Sequence, residues 1–379
     1  MERRVLLPTV LFLLALPAVA ETVLNERFSV YGDLRSGYYN LHRQDRDNTA
    51  ETTEEWRARL RAGLKWKAST HFEAAVRFAG RYSTEQDDHG FDLDWHTTTA
   101  TGMSLGDSTL DEAYLAYREE TWSVTLGRFQ TKNVVAGVAG KSLDRNDSTN
   151  TEITWTDGIR YQTDLANGWQ GQFILEHNDR EGPANTRRPP LNFTDTAARW
   201  SAFAKLENTD ALGPLVQRNL SITYLPEALH RMGPTSQTTT DYYTITARTA
   251  LRWPMARAPG DFMLGLEAGY APQTPKAQAL NLMDSGDSDG LGYHIALNWL
   301  DFAPGHNIAL IGARTGAGWL ISPDFAPNTD LLEVRYQWKI DKNQRLEARL
   351  RRRSELEGVT GALDDRVDVD GYLRYTYSF

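Results

Sequence analysis

Residues 54–67, EEWRARLRAGLKWK, alternate almost without error. Ala58, Leu60, Ala62, Leu64 and Trp66 share one parity; Arg57, Arg59, Arg61, Lys65 and Lys67 share the other. Successive side chains of a β-strand point to opposite faces, so the segment predicts a strand with one oily face and one basic face. The stretch FEAAVRFAGRY repeats the pattern with Phe72, Ala74, Val76 and Phe78. DYYTITARTALRW does so with Tyr243, Ile245, Ala247, Leu251 and Trp253, and LGYHIALNWL with Leu291, Tyr293, Ile295, Leu297 and Trp299. Read this way, the chain predicts strands over 28–38, 56–67, 71–82, 110–118, 122–129, 153–165, 169–177, 197–208, 217–225, 241–253, 261–271, 290–300, 307–316, 331–340, 345–353 and 366–379. That is sixteen, within a range of 14 to 18, and the alternation is poorest in 217–225 and 307–316.

The connections alternate in length. AST (68–70), EET (119–121), ANG (166–168) and DKNQ (341–344) are tight, whereas 83–109, 130–152, 178–196 and 272–289 are long and polar. Strands of about ten residues with short turns at one end and long loops at the other predict a transmembrane antiparallel β-barrel. A soluble sandwich predicts shorter strands and no such asymmetry. Aromatic residues collect near strand ends, among them Tyr38, Trp56, Trp66, Trp122, Trp169, Trp253, Tyr270, Trp299 and Trp338, where a membrane barrel places its two interfacial girdles. The oily face of 54–67 then meets lipid and its basic face the lumen. A lysine or arginine at the lipid midplane would cost about 2–4 kcal/mol.

Composition refines this picture. MERRVLLPTVLFLLALPAVA, residues 1–20, has a basic start, a short apolar run and an Ala18-x-Ala20 site, the pattern of a secretory signal peptide cleaved before Glu21. The domain reading is therefore a signal over 1–20 and a single barrel over 21–379. The chain has no cysteine, which excludes disulfides and a lipid-bearing cysteine. Its formal charge of −9 becomes −10 without the signal, which carries Glu2, Arg3 and Arg4, and argues against a nucleic-acid partner. A mean hydropathy of −0.52 excludes a transmembrane helix bundle but not a barrel, whose strands are only half apolar.

The chain ends VDVDGYLRYTYSF, with Leu373, Tyr375, Tyr377 and Phe379 on one parity. This resembles the last strand of Gram-negative outer-membrane porins, in which a terminal aromatic closes the barrel and is recognised by the barrel-assembly machinery. The resemblance assigns that signal to Phe379, Tyr377 and Tyr375. LDEAYLAYREETWSVTLGRFQTKNVV followed by WTDGIRYQTDL is similar to a segment shared by porins and alginate-export-like barrels. There a Gly-Arg pair (here Gly127, Arg128) leads into the third long loop and an Asp-Gly pair (Asp157, Gly158) opens the next strand. The acidic constriction motif of general diffusion porins is missing. The resemblance implies an integral outer-membrane protein in contact with lipid and lipopolysaccharide. It leaves open a trimer, as in many porins, or a monomer, as in alginate-export-like barrels.

A porin does no bond chemistry, and no cofactor is expected. Sixteen strands enclose a water-filled channel. In the resemblance the third loop folds inward and narrows it. Here that loop begins with the small apolar run Val134–Gly140, which packing against the inner wall would explain, and Lys132, Lys141, Asp144, Arg145 and Asp147 become constriction candidates. On the predicted inward face of the first three and last two strands, fourteen basic residues (Arg35, Arg57, Arg59, Arg61, Lys65, Lys67, Arg77, Arg81, Arg345, Arg349, Arg351, Arg353, Arg366 and Arg374) stand against five acidic ones (Asp33, Glu73, Glu347, Asp368 and Asp370). Two readings are open: a solvated wall with internal ion pairs, or a ladder that concentrates anions. The function expected is passive diffusion of small hydrophilic solutes with an anion preference. The alternatives are a substrate-specific barrel for anionic oligosaccharides, an outer-membrane enzyme or an adhesin barrel.

No metal site is expected. Asp87, Asp88, His89, Asp92, Asp94 and His96 have ligand chemistry without a recognised spacing, and DSGDSDG (284–290) lacks the downstream glutamate of a calcium loop. No Gly-x-Ser-x-Gly and no catalytic triad is apparent. Deleting Phe379 is expected to lower the yield of heat-modifiable, membrane-inserted protein in cells. Normal assembly of the truncated chain would remove the terminal aromatic from the signal.

Overall fold

A computed structural model describes residues 21–86, 92–93, 103–147, 153–178, 189–193, 197–233 and 238–379. The expected signal peptide lies outside these residues. So do Asp87, Asp88, His89, Asp94 and His96, and the side chain of Asp92.

Among the described residues sixteen strands form one closed antiparallel barrel. They are β1 (Phe28–Gln44), β2 (Ala50–Lys67), β3 (Phe72–Ser83), β4 (Asp107–Arg118), β5 (Trp122–Phe129), β6 (Thr156–Asp164), β7 (Trp169–Asn178), β8 (Arg199–Asn208), β9 (Leu215–Leu229), β10 (Thr240–Pro254), β11 (Asp261–Tyr270), β12 (Leu291–Ala303), β13 (His306–Thr315), β14 (Thr329–Lys339), β15 (Gln344–Glu355) and β16 (Val367–Ser378). Each pairs with its neighbours in sequence, and β16 closes on β1 from Val367↔Gln44 to Ser378↔Asp33. The two-residue pieces Thr22–Val23 and Asp92–Leu93 pair with β1 and β4. Closure leaves no strand edge, as hydrocarbon demands. No described helix is long and apolar enough to cross a membrane.

The alternation sorts side chains as the sequence requires. Leu64, Leu115, Leu126, Leu220, Ile295, Leu297, Leu350 and Leu373 point outward and stay exposed. The inward parity is polar and buried, with Arg59, Arg77, Glu112, Glu267, His294, Glu333, Glu347 and Arg374 among it. Outer aromatics pair across strands, Phe28 with Trp66 and Trp253 with Phe262 in stacked geometry. Phe379 extends the closing strand, its N–H and C=O bonding Gly32 at 3.1 and 2.8 Å.

β1 and β2 run further than the sequence predicts, leaving only residues 45–49 between them. The outward side chains of this extension are polar: Asn40 bonds Glu54 at 3.2 Å and His42 bonds Thr52 at 2.9 Å. Beyond the lipid the outer face loses its reason to be apolar, so the alternation fades although the strand pairing continues.

One irregularity places charge. In the β3–β4 pairing Arg77 lies opposite Glu112 and Phe78 opposite Leu110, so Asp111 is an extra residue. Such a bulge lets two consecutive residues face one way. Asp111 (0% exposed) and Glu112 (8%) both reach Arg77.

Candidate functional site

The described parts of the loop between β5 and β6, residues 130–147 and 153–155, enter the barrel, and the root of the loop is pinned first. Gly127 and Arg128 of β5 register with Gly158 and Asp157 of β6. Arg128 bonds Asp157 through two parallel contacts of 2.8 Å, and its guanidinium lies 4.2 Å over the Trp155 ring. Gly127 has φ +119°, and a Cβ there would sit 2.4 Å from the Ala113 carbonyl oxygen, so no other residue fits. The Gly-Arg and Asp-Gly pairs noted in the sequence therefore form one cross-strand clamp at the root of the loop.

Within the lumen the loop is itself a hairpin. Asn133 N–H bonds the Arg145 carbonyl at 3.0 Å, and Val135 N–H bonds that of Lys141 at 3.0 Å. Its small apolar tip meets the opposite wall. Ala136 N–H donates to Gln217 of β9 at 2.8 Å, Val138 N–H to Asn298 of β12 at 2.9 Å, and Arg335 of β14 donates to the Ala139 carbonyl at 3.1 Å. Small inward residues make room. A Cβ on Gly265 would come within 2.5 Å of Val135.

The returning arm is held by buried charge. Glu267 accepts Leu143 N–H at 2.8 Å and pairs with Arg248 and with His294, the latter at 3.1 Å. Asp144 accepts from Ser221 at 2.8 Å and Thr223 at 3.0 Å. Arg145 bonds Glu176 and Thr156 and stacks 5.0 Å over Phe203. Lys141 pairs with Glu333 at 3.1 Å.

A second inward loop, 316–328, was not anticipated. Trp319 is fully buried, donates to the Leu143 carbonyl at 2.9 Å and lies where a side chain on Gly269 would be. Ser322 donates to the Ser142 carbonyl at 2.8 Å. Asp324 accepts from Ser142 N–H at 3.0 Å and from Asn146 at 2.8 Å. The two loops share an apolar core with Val138, Leu143, Tyr242, Ala296, Ala309, Ile311, Leu320, Ile321 and Phe325, which covers one side of the barrel interior. The signal was present in GWLISPDF, an apolar run in a loop, of the same kind that marked residues 134–140.

What stays open is a cleft of about 510 Å³ between the hairpin and the wall of β1–β4 and β14–β16. Its charged lining is Arg35, Arg61, Arg77, Lys132, Arg335, Lys339, Arg345 and Arg374 against Glu112, Asp147, Asp324 and Glu347. Eight basic side chains thus face four acidic ones. Of the constriction candidates, Lys132 and Asp147 border the cleft, whereas Lys141, Asp144 and Arg145 are 2–3% exposed and anchor the hairpin. Burial pulls the Lys141 ammonium down to about 8, with Glu333 opposing.

The basic candidates arrive with partners. Asp33 binds Arg59 at 3.0 Å and Arg61 at 2.7 Å and lies 3.7 Å from Arg35, and Arg59 is fully buried beneath it. Asp370 pairs with Arg349 and Arg351, Asp368 with Arg353 at 3.0 Å, and Glu347 with Arg374 at 2.8 Å. Arg57 pairs with Glu55, Arg81 donates to the Met103 carbonyl, and Lys65 reaches Glu21 at 2.8 Å. At the closing strand Tyr375 bonds Gln344 at 2.8 Å, and the Tyr377 and Phe379 rings stack at 6.3 Å. Among the described residues no group of three or more His, Cys, Asp or Glu is placed to hold a metal. Asp287 of the 284–290 loop instead pairs with Lys276 at 2.9 Å and with Arg231.

No protein-family model matches the sequence, and no curated protein does. Solved structures match over nearly the whole chain. OprB of Pseudomonas putida is 11% identical, with a TM-score of 0.57 and 93% of this chain and 94% of that one covered. OmpF of Salmonella typhi, in complex with daunomycin, is 12% identical, with a TM-score of 0.55 and coverage of 95% and 100%. An anion-selective porin from Comamonas acidovorans is 12% identical, with a TM-score of 0.52 and coverage of 93% and 99%. The chain therefore has the fold of the outer-membrane porins.

Glu267 is the acceptor on which the hairpin's return depends. Glu267→Ala removes the nearer carboxylate of the buried Arg248 and leaves it only Asp144 at 3.6 Å, a break of the kind that costs up to about 3–5 kcal/mol. The expected outcome is faster exchange of the Leu143 amide and new protease cleavage within 130–147, in a barrel that still migrates as folded when unheated. Unchanged protection would remove Glu267 as the anchor.

Proposed function

We propose that the chain forms a water-filled channel in the outer membrane of a Gram-negative bacterium, through which small hydrophilic solutes diffuse with a preference for anions. Phosphate, dicarboxylates and short uronates, with more than one charge, gain most. The observation that carries this reading is the eight-to-four excess of basic side chains around the cleft. Field from fixed charges reaches across about one Debye length, roughly 8 Å at physiological salt, so a solute in the cleft feels most of them. The cleft's volume lies within the range of small-molecule sites, about 300–1,000 Å³. The carboxylates just behind the lining, Asp33, Asp111 and Glu333, pair with Arg61, Arg77 and Arg335 and weaken the excess that a solute meets.

The direct test is a planar-bilayer reversal potential across a potassium chloride gradient. Wild type is expected to favour chloride. Lys132→Glu/Lys339→Glu brings the cleft to charge parity and is expected to move the potential close to zero. Cation preference in the wild type, or no change in the variant, sinks the reading.

Asp147 adds a pH dependence. Burial pushes its carboxyl from 3.8 up to about 6, against the pull of Arg145. The group is therefore charged above that pH and neutral below it. Because the folded state holds the proton more tightly, the hairpin gains stability as pH falls through 6 and loses it again as pH rises. Chloride preference is expected to increase between pH 7 and pH 5, and Asp147→Asn to be set at the higher value throughout. A pH response that persists in Asp147→Asn would assign the titration elsewhere.

A further inference from the structure

We propose that the lumen holds a second binding site, at its short-turn end, for an uncharged polyhydroxylated solute such as a sugar alcohol. The inference goes beyond the channel reading and uses none of the residues that line the cleft.

The register builds the site as one inward row across five strands. Arg118 of β4 lies opposite Ser123 of β5, Ser123 opposite Gln162 of β6, Gln162 opposite Gln172 of β7, and Gln172 opposite Lys205 of β8. These residues line a recess of about 240 Å³ beside the turn 119–121, and it shares no lining residue with the cleft. The three uncharged members, Ser123, Gln162 and Gln172, span about 10 Å at the ordinary strand spacing. Gln172 is 8% exposed, and its carboxamide oxygen has no hydrogen-bond partner among the described residues. The side chains of Ser123 and Gln162 have none there either.

The chemistry of the row selects the ligand. Its two cations are already paired: Arg118 donates to both oxygens of Glu73 at 2.9 and 3.0 Å, and Lys205 to Glu207 at 2.8 Å. Arg160, one inward step deeper, donates instead to the Gln130 carbonyl at 3.3 Å and to Thr125 at 3.2 Å. Glu119, Glu120 and Asp164 line the same recess, so an anion meets more carboxylates than cations there. These acids do not converge on a cation site: Glu119 accepts from Tyr117, and Asp164 from Gln170 at 3.1 Å. What the row leaves unused is carboxamide and hydroxyl. A carboxamide both donates and accepts, and so does each hydroxyl of a polyol. A run of hydroxyls can therefore bond Ser123, Gln162 and Gln172 in turn and supply the donor that the buried Gln172 oxygen lacks.

The protein, purified in detergent, is titrated with sorbitol, gluconate and glucamine, which share one carbon chain and differ at one end. Binding is read by saturation-transfer difference NMR. Wild type is expected to hold sorbitol about tenfold more tightly than gluconate, whose carboxylate meets like charge, and to hold glucamine no more tightly than sorbitol. Gln162→Leu and Gln172→Leu are each expected to lose about tenfold in sorbitol affinity while the unheated protein still migrates as a folded barrel. Inorganic phosphate, the kind of anion proposed for the cleft, is expected to leave bound sorbitol in place. Sorbitol that does not bind, or that binds both glutamine variants as it binds wild type, overturns the site. Equal or tighter binding of gluconate overturns the selection for an uncharged ligand, as does tighter binding of glucamine. Displacement of sorbitol by phosphate moves it to the cleft and overturns the second site.

Discussion

Hydrocarbon supplies no hydrogen-bond partner, and this one constraint orders the rest of the molecule. Every backbone N–H and C=O at membrane depth must be paired within the chain, which forces the β16–β1 closure. Closure fixes parity, because each strand has neighbours on both sides and no freedom to slip. Parity then sends the polar half of every strand inward. The lumen is therefore crowded with charge before any solute is considered, and the charges settle into pairs such as Arg374–Glu347 and Arg351–Asp370.

The loops solve a different problem. A ring of sixteen strands encloses more space than its side chains fill. The 130–147 hairpin and the 316–328 loop pack on one side of that space, on inward residues that are unusually small or apolar: Gly265, Gly269, Ala296, Ala309 and Ile311. The wall opposite keeps its arginines. The asymmetry of the cleft thus follows from which strands present a surface that a loop can dry and which present one that it cannot.

Much of this was legible in the sequence. The strands were readable because lipid imposes period two on the outer face; the weakly alternating segment 217–225 lies within β9, and 307–316 overlaps β13 up to Thr315. Their inner faces are partly apolar, Ala309 and Ile311 for example, because loops rather than water lie against them. The extension of β1 and β2 past the lipid was not readable, since Asn40, His42, Thr52 and Glu54 carry no alternation. In the cleft the basic wall was visible, but its partners were undercounted. Glu55 precedes the strand predicted over 56–67, Glu333 lies on β14 outside the five strands that flank the closure, and Asp111 and Glu112 are consecutive, so alternation alone sends one of them to lipid. Asp324 comes from a loop whose path depends on contacts distant in the chain.

The extra residue at Asp111 has a wider consequence. In a regular strand the numbers of lumen-facing and lipid-facing positions are locked together, so a channel cannot gain an inner charge except by replacing an inner residue. An inserted residue breaks that equality at one point and leaves the outer surface as it was. The interior of such a barrel can therefore be retuned by single-residue insertions and deletions within strands, a route of variation that the membrane does not police.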